Sequence, residues 1–262
     1  MIQSHSVWAF ASALILAAGA SAASGSLRVS GLRSEYRTDP IGIDAARPRL
    51  SWVLDSARRG DRQTAYQVLV ASNERSLAAG KGDLWDSGKV SRADSIQVEY
   101  AGKPLVSHQR CWWKVRAWDL DGRVSAWSAP ARWAMGMMAS ADWKAHWISR
   151  AAPNVPDTPA PLFRKEFRIT KPVRRAVAYI SGLGFQETRL NGSRIGDRAL
   201  EPGCTDYRQR IFYSADDVTA LLQPGVNAIA AMLGNGMYNV TGGRYVKFKA
   251  SVGAPALILQ FH

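Results

Sequence analysis

Two acidic side chains, Glu187 and Asp197, flank an Asn-Gly turn and raise the question of glycoside hydrolysis. That reaction needs one carboxylic acid to protonate the leaving oxygen and a second carboxylate to activate water or attack the sugar. On a strand, Glu187 shares its face with Arg189, so we interpret it as a solvated residue paired across that face. We therefore predict no catalytic role for this pair.

Thiol and imidazole chemistry is the next candidate. The chain has two cysteines, Cys111 and Cys204, far apart in sequence. A disulfide between them is one alternative, and two free, buried thiols are the favoured one. A catalytic thiol or a zinc site would need clustered histidines. The four histidines form no such constellation in the sequence: His5, His108, His146 and His262.

A calcium site is suggested by Asp119 and Asp121 in the stretch "DLDGRVSAWS". The remaining ligand positions of a calcium loop are missing. Asp121-Gly122 is typical of a hairpin turn, and we favour that interpretation. The sequence thus predicts no metal and no cofactor. A calcium site is supported only by the spacing of Asp119 and Asp121.

A glycine-rich stretch, "LGNGMYNVTGG", covers residues 233–243. It follows a strand and leads to no phosphate-binding helix, which argues against a nucleotide site. We interpret it as a tight loop, and we expect Asn235, Tyr238 and Asn239 to face a ligand.

The formal charge of +13 favours anionic partners. Because no basic helix or finger motif collects the lysines and arginines, a basic exported protein is favoured over a nucleic-acid binder. An acidic polysaccharide is a third candidate partner. Residues 1–22 resemble a signal peptide ending in Ala20-Ser21-Ala22, with an uncleaved anchor as the alternative. We expect a periplasmic or extracellular protein with no membrane contact beyond this export signal.

Short runs rich in valine and aromatic residues, separated by turn residues, predict an all-β protein of two sandwich domains. The first domain is predicted over residues 24–138, and the second over residues 162–262. In "RCWWKVRAWD", alternation predicts one buried face: Cys111, Trp113, Val115 and Ala117.

A proline-rich connection over residues 139–161 joins the two domains, with tryptophans that we expect to hold it against one of them. In the second domain, Asn191-Gly192 predicts a type I′ hairpin turn. The final run, "PALILQF", is expected to have an unpaired, aggregation-prone edge, because we interpret the sequence as stopping before the late strands.

The stretch from Arg189 to Asn239 resembles the N-terminal region of bacterial α-L-rhamnosidases of glycoside hydrolase family 78. The resemblance rests on "LEPGCTDYR" (residues 200–208), on "GNGMY" (residues 234–238) and on the frame "DVTALLQPGVNAI". Earlier stretches, "RPRLSWVL" and "CWWKVRAWDLDGRVSAWS", look like the fibronectin-III-like or immunoglobulin-like domain that precedes the jelly roll in this family. The resemblance covers the chain from about residue 27 onward.

The resemblance implies an N-terminal accessory or carbohydrate-binding part of an exported, inverting α-L-rhamnosidase. In that family a later (α/α)6 barrel carries the two catalytic carboxyl groups. The partners implied are a rhamnose-containing carbohydrate and that barrel, and this chain alone is expected to be inactive. "ARRGDR" (residues 57–62) looks like part of the catalytic stretch, but it precedes a strand of the first domain, and we interpret it as a solvated loop.

Two alternatives from other classes remain. A standalone carbohydrate-binding or adhesion module would bind sugar by itself, with no catalytic domain after it. Another glycosidase with a similar jelly roll, such as a β-galactosidase-like enzyme, would have a different first domain and a later (β/α)8 barrel.

Any sugar contact is predicted in the jelly roll, on the loops around residues 202–207 and 235–244. Sugar sites combine aromatic rings with amide or carboxylate groups, and this region offers both. Tyr238 and Tyr245 have a second interpretation, as residues that dock the barrel. The candidate substrate-binding residues are Asp206, Tyr207, Asn235, Tyr238, Asn239, Arg244 and Tyr245. Some related jelly rolls bind rhamnose through calcium with an Asp-Asn pair, and this sequence has no Asp-Asn dipeptide.

Overall fold

The computed structural model describes residues 27–150, 159–240 and 252–262. Within these ranges strands dominate, and helix is limited to α1 (Glu74–Ala78) and two single 3-10 turns. The predicted all-β class is confirmed. The predicted signal peptide, residues 1–22, lies outside the described residues, as does part of the predicted connection.

Eight strands build the first sandwich. They are β1 (Leu27–Ser34), β2 (Ile41–Ile43), β3 (Arg49–Ser56), β4 (Ala65–Ala71), β5 (Trp85–Asp86), β6 (Val98–Glu99), β7 (Arg110–Trp118) and β8 (Ala131–Met135). One sheet has the order β1-β3-β6, and the other has the order β2-β8-β7-β4-β5. Strand β2 pairs with β8 in parallel, while the other pairs are antiparallel.

Alternate side chains of β7 point into the core of this sandwich, as predicted. Cys111, Trp113, Val115 and Ala117 are fully buried between the two sheets. The indole of Trp113 meets that of Trp133 edge-on, with ring centroids 6.5 Å apart. The opposite face of β7 carries cations and aromatic rings, and all of them except Arg110 are half-buried: Arg110, Trp112, Lys114, Arg116 and Trp118.

Eight further strands build the second sandwich. They are β9 (Ile148–Ser149), β10 (Leu162–Ile169), β11 (Val177–Leu183), β12 (Phe185–Leu190), β13 (Ser193–Arg194), β14 (Ser214–Asp217), β15 (Gly225–Gly234) and β16 (Ala256–Phe261). Their sheets have the orders β10-β15-β12-β13 and β14-β11-β16-β9. The core between them includes Ile180, Leu190 and Leu233, with Phe163 and Phe167 packed against it from β10.

The Asn-Gly hairpin forms between β12 and β13, as predicted. Asn191 and Gly192 have φ angles of 52° and 84°, the positive values that a type I′ turn requires. The Asn191 amide also donates to the Leu221 carbonyl (2.9 Å) and to Asn227 Oδ1 (2.8 Å). The turn residue therefore ties the hairpin to the start of β15.

The expected free edge at "PALILQF" is wrong for part of the strand. Strand β9 pairs with the first residues of β16, opposite β11. Further along β16, Gln260 Oε1 accepts hydrogen bonds from the backbone amides of Lys144 (2.6 Å) and Ala145 (3.0 Å). The segment expected to connect the domains thus covers this edge with strand β9 and with two backbone amides that donate to Gln260.

The two sandwiches pack directly on each other. Strand β2 lies against β14, and a Cβ added at Gly42 would be 2.7 Å from Ala215 Cβ. The Met137 amide donates to the Tyr213 hydroxyl (2.9 Å), and Tyr213 packs with Tyr179 and Trp143. This junction is an aromatic layer between the domains.

Both cysteines are free, but only Cys111 is buried. The expectation of a buried Cys204 is wrong because this residue lies on an exposed loop rather than in the core of the second sandwich. Among the described residues, no helix is long and apolar enough to cross a membrane.

Candidate functional site

The loop of residues 202–207 and the loop that follows β15 meet at a pair of tyrosines. Tyr207 and Tyr238 pack edge to face, with ring centroids 5.1 Å apart and planes at 89°. Both rings are half-buried. The edge-to-face contact uses one ring face for the protein itself, so it leaves less aromatic surface for a sugar than two parallel rings would.

Asp206 lies beside this pair but is engaged by its own loop. Its carboxylate accepts from the guanidinium of Arg208 at 3.1 and 3.3 Å and from the Gln209 amide at 3.2 Å. These hydrogen bonds, Arg208 first, lower the pKa of Asp206 below its usual value. The carboxylate is therefore charged at neutral pH and braces the loop.

The amide residues of the second loop also pair with each other. Asn239 is buried, and its amide nitrogen donates to Asn235 Oδ1 at 2.9 Å. The Asn239 backbone amide donates to the Asn235 carbonyl at 3.2 Å, which closes a turn of chain around Gly236. Gly236 is required there because an added Cβ would be 2.9 Å from the Phe185 amide nitrogen.

The structure thus brings together five of the predicted site residues, and Arg244 and Tyr245 lie outside the described residues. Burial, with Cys204 as the next cause, raises the pKa of the Tyr207 phenol, which stays neutral at physiological pH. A neutral phenol can donate to a sugar hydroxyl or to a protein carbonyl. The cluster can hold a polar ligand at its rim, but much of its own hydrogen-bonding capacity is already used.

Several acidic residues of the described chain are paired with neighbouring donors. Glu187 accepts from Arg189 Nε at 2.9 Å, the pairing that the sequence predicted. Every described carboxyl with a shifted pKa is shifted downward: Glu35, Asp83, Asp142, Asp206 and Asp217. A glycosidase acid needs the opposite shift. No cluster of metal ligands occurs among the residues described either.

An exposed apolar surface on the outer sheet of the second sandwich was not predicted. Leu162 on β10 is 76% exposed and pairs with Met232 on β15, which is 49% exposed. Leu200, on the loop beyond β13, is 70% exposed. A cleft of about 420 Å³ lies among Leu200, Met232 and Phe185. Outward positions of "LFRKEFRI" could have indicated Leu162, but nothing in the sequence placed Leu200 in one cleft with Met232.

The "ARRGDR" loop is exposed, as expected for a solvated loop. Arg58 pairs with Asp121 across 2.6 Å, and Asp61 accepts from the Ser56 hydroxyl. Asp119, which suggested calcium, accepts instead from the backbone amides of Asp121 and Arg123 at 2.9 and 2.8 Å. These bonds are those of an ordinary acidic turn.

Comparison with known proteins identifies both sandwiches. Residues 29–139 match the model for the Rha78A-like, N-terminal immunoglobulin domain, and residues 171–262 match that for the α-L-rhamnosidase N-terminal domain. A relative from Formosa agariphila, named α-L-rhamnosidase, is 34% identical over 77% of this chain and 23% of its own length. The chain spans about a quarter of the length of the curated relatives it matches.

Solved structures give the same result. The chain superposes on an α-L-rhamnosidase from Dictyoglumus thermophilum with a TM-score of 0.80 and 37% identity, covering 89% of this chain and 27% of the other. It superposes on a Streptomyces avermitilis α-L-rhamnosidase complexed with L-rhamnose with a TM-score of 0.79 and 27% identity, covering 90% of this chain and 39% of the other.

Proposed function

We propose, from the membership of this chain in the α-L-rhamnosidase family as its N-terminal region, that the complete protein removes terminal α-L-rhamnose from glycans or glycosides. In this proposal the two sandwiches are accessory domains, and hydrolysis takes place on a later catalytic domain. The matched relatives are about four times as long as the stretch they share with this chain. That extra length is sufficient for a barrel that carries the catalytic carboxyl groups.

The match of both sandwiches to N-terminal domains of the family carries the accessory role, and the pairing of five carboxyl groups agrees with it. An inverting glycosidase needs one carboxylic acid that stays protonated near neutral pH. The shifted carboxyl groups here are held ionised by arginines, hydroxyls and backbone amides. Such groups stabilise loops, and a lowered pKa makes them poor proton donors for a leaving glycosidic oxygen.

The test is turnover of p-nitrophenyl α-L-rhamnoside by this 262-residue chain and by the same chain extended through its downstream reading frame. We expect release of nitrophenol from the extended protein and background release from the shorter one. Turnover by the shorter chain would place the active site within it and contradict the accessory role. Lack of turnover by an extended, folded protein would contradict the rhamnosidase assignment.

For the second sandwich we propose docking against the catalytic domain. Tyr207, Tyr238 and the polar residues beside them, the tyrosine cluster, would lie at the edge of that contact. The exposed side chains of Leu162, Leu200 and Met232 form an apolar surface of the kind that mediates association. Tyr207 and Tyr238 lie on loops whose polar groups already pair internally. Direct sugar binding at Asp206, Tyr207, Asn235, Tyr238 and Asn239 is the competing role.

Titration of L-rhamnose into the chain, with and without calcium, distinguishes the two roles. Docking predicts no amide shifts at high millimolar sugar. Sugar binding predicts shifts on both loops, with a dissociation constant of roughly 10 µM to 1 mM, since a few hydroxyl hydrogen bonds add about 1 kcal/mol each. Tyr238→Ala should abolish those shifts, and Tyr36→Ala, an exposed tyrosine of the first domain, is the matched control.

We also propose that the protein is exported to the periplasm or beyond. The apolar run that ends in Ala20-Ser21-Ala22 supports this. N-terminal sequencing of the protein secreted by a bacterial host should begin at Ala23. A mature protein that still begins at Met1 and stays with the cell would contradict cleavage.

A further inference from the structure

A cleft of about 280 Å³ lies between the two sandwiches, away from the tyrosine cluster, and four arginines line it. Arg110 begins β7, Arg132 belongs to β8, and Arg174 and Arg175 precede β11. Two carboxylates, Asp39 and Asp217, complete the charged lining. Four cations and two anions leave an excess of two positive charges in one small space.

The two aspartates do not neutralise this cluster. Arg132 Nε is 3.5 Å from Asp39, and Arg175 Nε is 3.7 Å from Asp217, both at the long end for an ion pair. Among the described residues, neither Arg110 nor Arg174 has a carboxylate within salt-bridge distance. The Arg110 guanidinium is instead positioned over the Trp112 ring, 4.3 Å from its centroid. Two of the four guanidinium groups that line the cleft therefore have donors that no described carboxylate accepts.

The arginines that line the cleft also repel each other. Burial, followed by the charges of Arg175 and Arg132, lowers the pKa of Arg110 below its usual value. A bound oxyanion would offset that repulsion and accept from the planar donor forks of the guanidinium groups.

We propose that this interdomain cleft binds the anionic group, a carboxylate or a sulfate ester, of an acidic saccharide. The oxyanion follows from the arginines alone, and its attachment to a saccharide rests on the proposed function. The volume lies at the small end of ligand pockets, which run from about 300 to 1,000 Å³, so it suits one sugar unit. Because both sandwiches contribute arginines, the ligand would also bridge the domains.

The test is titration of the purified chain with glucuronate, glucose 6-sulfate and sodium sulfate, with L-rhamnose and glucose as neutral controls. We expect amide shifts at the cleft residues with either acidic sugar, and at least tenfold weaker binding of inorganic sulfate and of the neutral sugars. Binding should weaken several-fold between low and high salt, since the contact is ionic. Inorganic sulfate binding as tightly as both acidic sugars would overturn the saccharide part, and no binding of any anion up to roughly 10 mM would overturn the site.

Matched variants separate this cleft from general attraction to a basic protein. Arg174→Gln should weaken acidic-sugar binding at least tenfold, whereas Arg59→Gln, which removes the same charge from an exposed loop of the first domain, should leave it unchanged. Asp39→Asn should tighten binding, because it removes a competing charge but keeps an oxygen for the Arg132 amide. Equal loss in Arg174→Gln and Arg59→Gln would overturn the proposal.

Two further measurements fix the place of binding and its independence from hydrolysis. Lys114 and Arg116 of β7 form a second cationic group, over the ring of Trp127. Amide shifts centred on these two residues would place the anion there and overturn the proposed cleft site. Turnover of the neutral p-nitrophenyl α-L-rhamnoside by the extended protein should not change in Arg174→Gln. An extended protein that hydrolyses the neutral substrate but binds no acidic sugar would contradict the cleft proposal and leave the proposed function standing. An extended protein that binds acidic sugar but does not hydrolyse the substrate would contradict the proposed function and leave the cleft proposal standing.

Discussion

The two thiols of the chain occupy opposite environments. Cys111 is fully buried on the inward face of β7, and burial raises its pKa to about 12. Cys204 lies on an exposed loop. Because the thiolate is the reactive form and a reagent must reach it, burial protects Cys111 while Cys204 stays accessible.

We therefore expect one of the two thiols to react with a chromogenic disulfide such as DTNB in the folded protein, and both after unfolding in guanidinium chloride. Cys204→Ser should abolish the folded-state reaction, whereas Cys111→Ser should leave it unchanged. Equal labelling rates for both thiols in the folded protein would contradict the burial of β7.

A histidine joins the domains at the junction. His108 Nδ1 is 2.9 Å from the Tyr179 hydroxyl, and the His108 ring stacks on that of His262 at 3.7 Å. Burial, followed by the charges of His262 and Arg175, lowers the pKa of His108 below its usual 6.5, against the opposing effect of Asp142. The folded protein therefore favours neutral His108.

The sign of the pH dependence follows from linkage. The unfolded chain takes up this proton below about pH 6.5 while the folded chain does not, so stability is full above pH 6.5 and falls as the pH drops toward the folded pKa. Carboxyl groups with lowered pKa values lose their contribution only below about pH 4.5. Thermal unfolding between pH 7.5 and 5 should show this decrease, and His108→Asn should reduce it.

The exposed His146 provides the control for that experiment. His146→Asn should retain the decrease between pH 7.5 and 5, because its side chain has no buried position to lose. An unchanged decrease in His108→Asn would assign the effect to another group.

At the scale of elements, the hairpin between β12 and β13 connects several segments. Asn191 donates to Leu221 and Asn227, and its Oδ1 accepts from the Ala228 amide at 2.9 Å. The Asn191 side chain thus supplies hydrogen-bond partners to backbone groups before and within β15. Gln260 plays a similar role at the edge of β16. Its side-chain amide forms hydrogen bonds with the backbone of Asp142, Lys144 and Ala145, in the segment after the first sandwich.

Asn191→Ala should destabilise the protein by about 2–4 kcal/mol, measured by urea unfolding. It removes three hydrogen bonds, leaves buried partners unsatisfied and places alanine at a positive φ. Gly192→Ala is the matched control, because an added Cβ there meets nothing within 4 Å and carries only the positive-φ cost of about 1–2 kcal/mol. Equal losses in the two variants would show that the Asn191 side chain contributes nothing beyond the turn.

At the scale of the whole molecule, close backbone approach holds the two sandwiches together. A Cβ added at Gly136 would lie 2.1 Å from the Tyr213 hydroxyl and 3.1 Å from the backbone of Gly42. That hydroxyl also accepts from the Met137 amide, so it cannot move without losing a hydrogen bond. Any side chain at this position therefore forces the junction to shift.

Gly136→Ala should destabilise the chain by about 1–3 kcal/mol, the usual cost of overpacking, and should split calorimetric unfolding into two transitions. The split is expected because each sandwich has its own core and the variant weakens only their contact. Gly203→Ala, on an exposed loop, should stay within about 0.5 kcal/mol of the parent. A single transition in Gly136→Ala at the parent temperature would contradict the described packing of the junction.

The sequence by itself determined the local elements. Alternation in "RCWWKVRAWD" determined the buried face of β7, and Asn191-Gly192 determined the turn between β12 and β13, because both depend only on neighbours along the chain. The pairing of Glu187 with Arg189 was predictable for the same reason, since residues two apart share a strand face. The motifs around residues 200–208 and 234–238 also indicated the family.

The tertiary structure alone decided what distant segments do together. Arg110, Arg132 and Arg174 come from three segments of two domains, and only the packing of β2 against β14 places them in one cleft. Tyr207 and Tyr238 meet in the same way, although each was singled out separately in the sequence. The edge of β16 was mispredicted because its cover comes from residues more than a hundred positions earlier. Sequence periodicity reports the faces of single strands, whereas a site between strands depends on how their sheets pack.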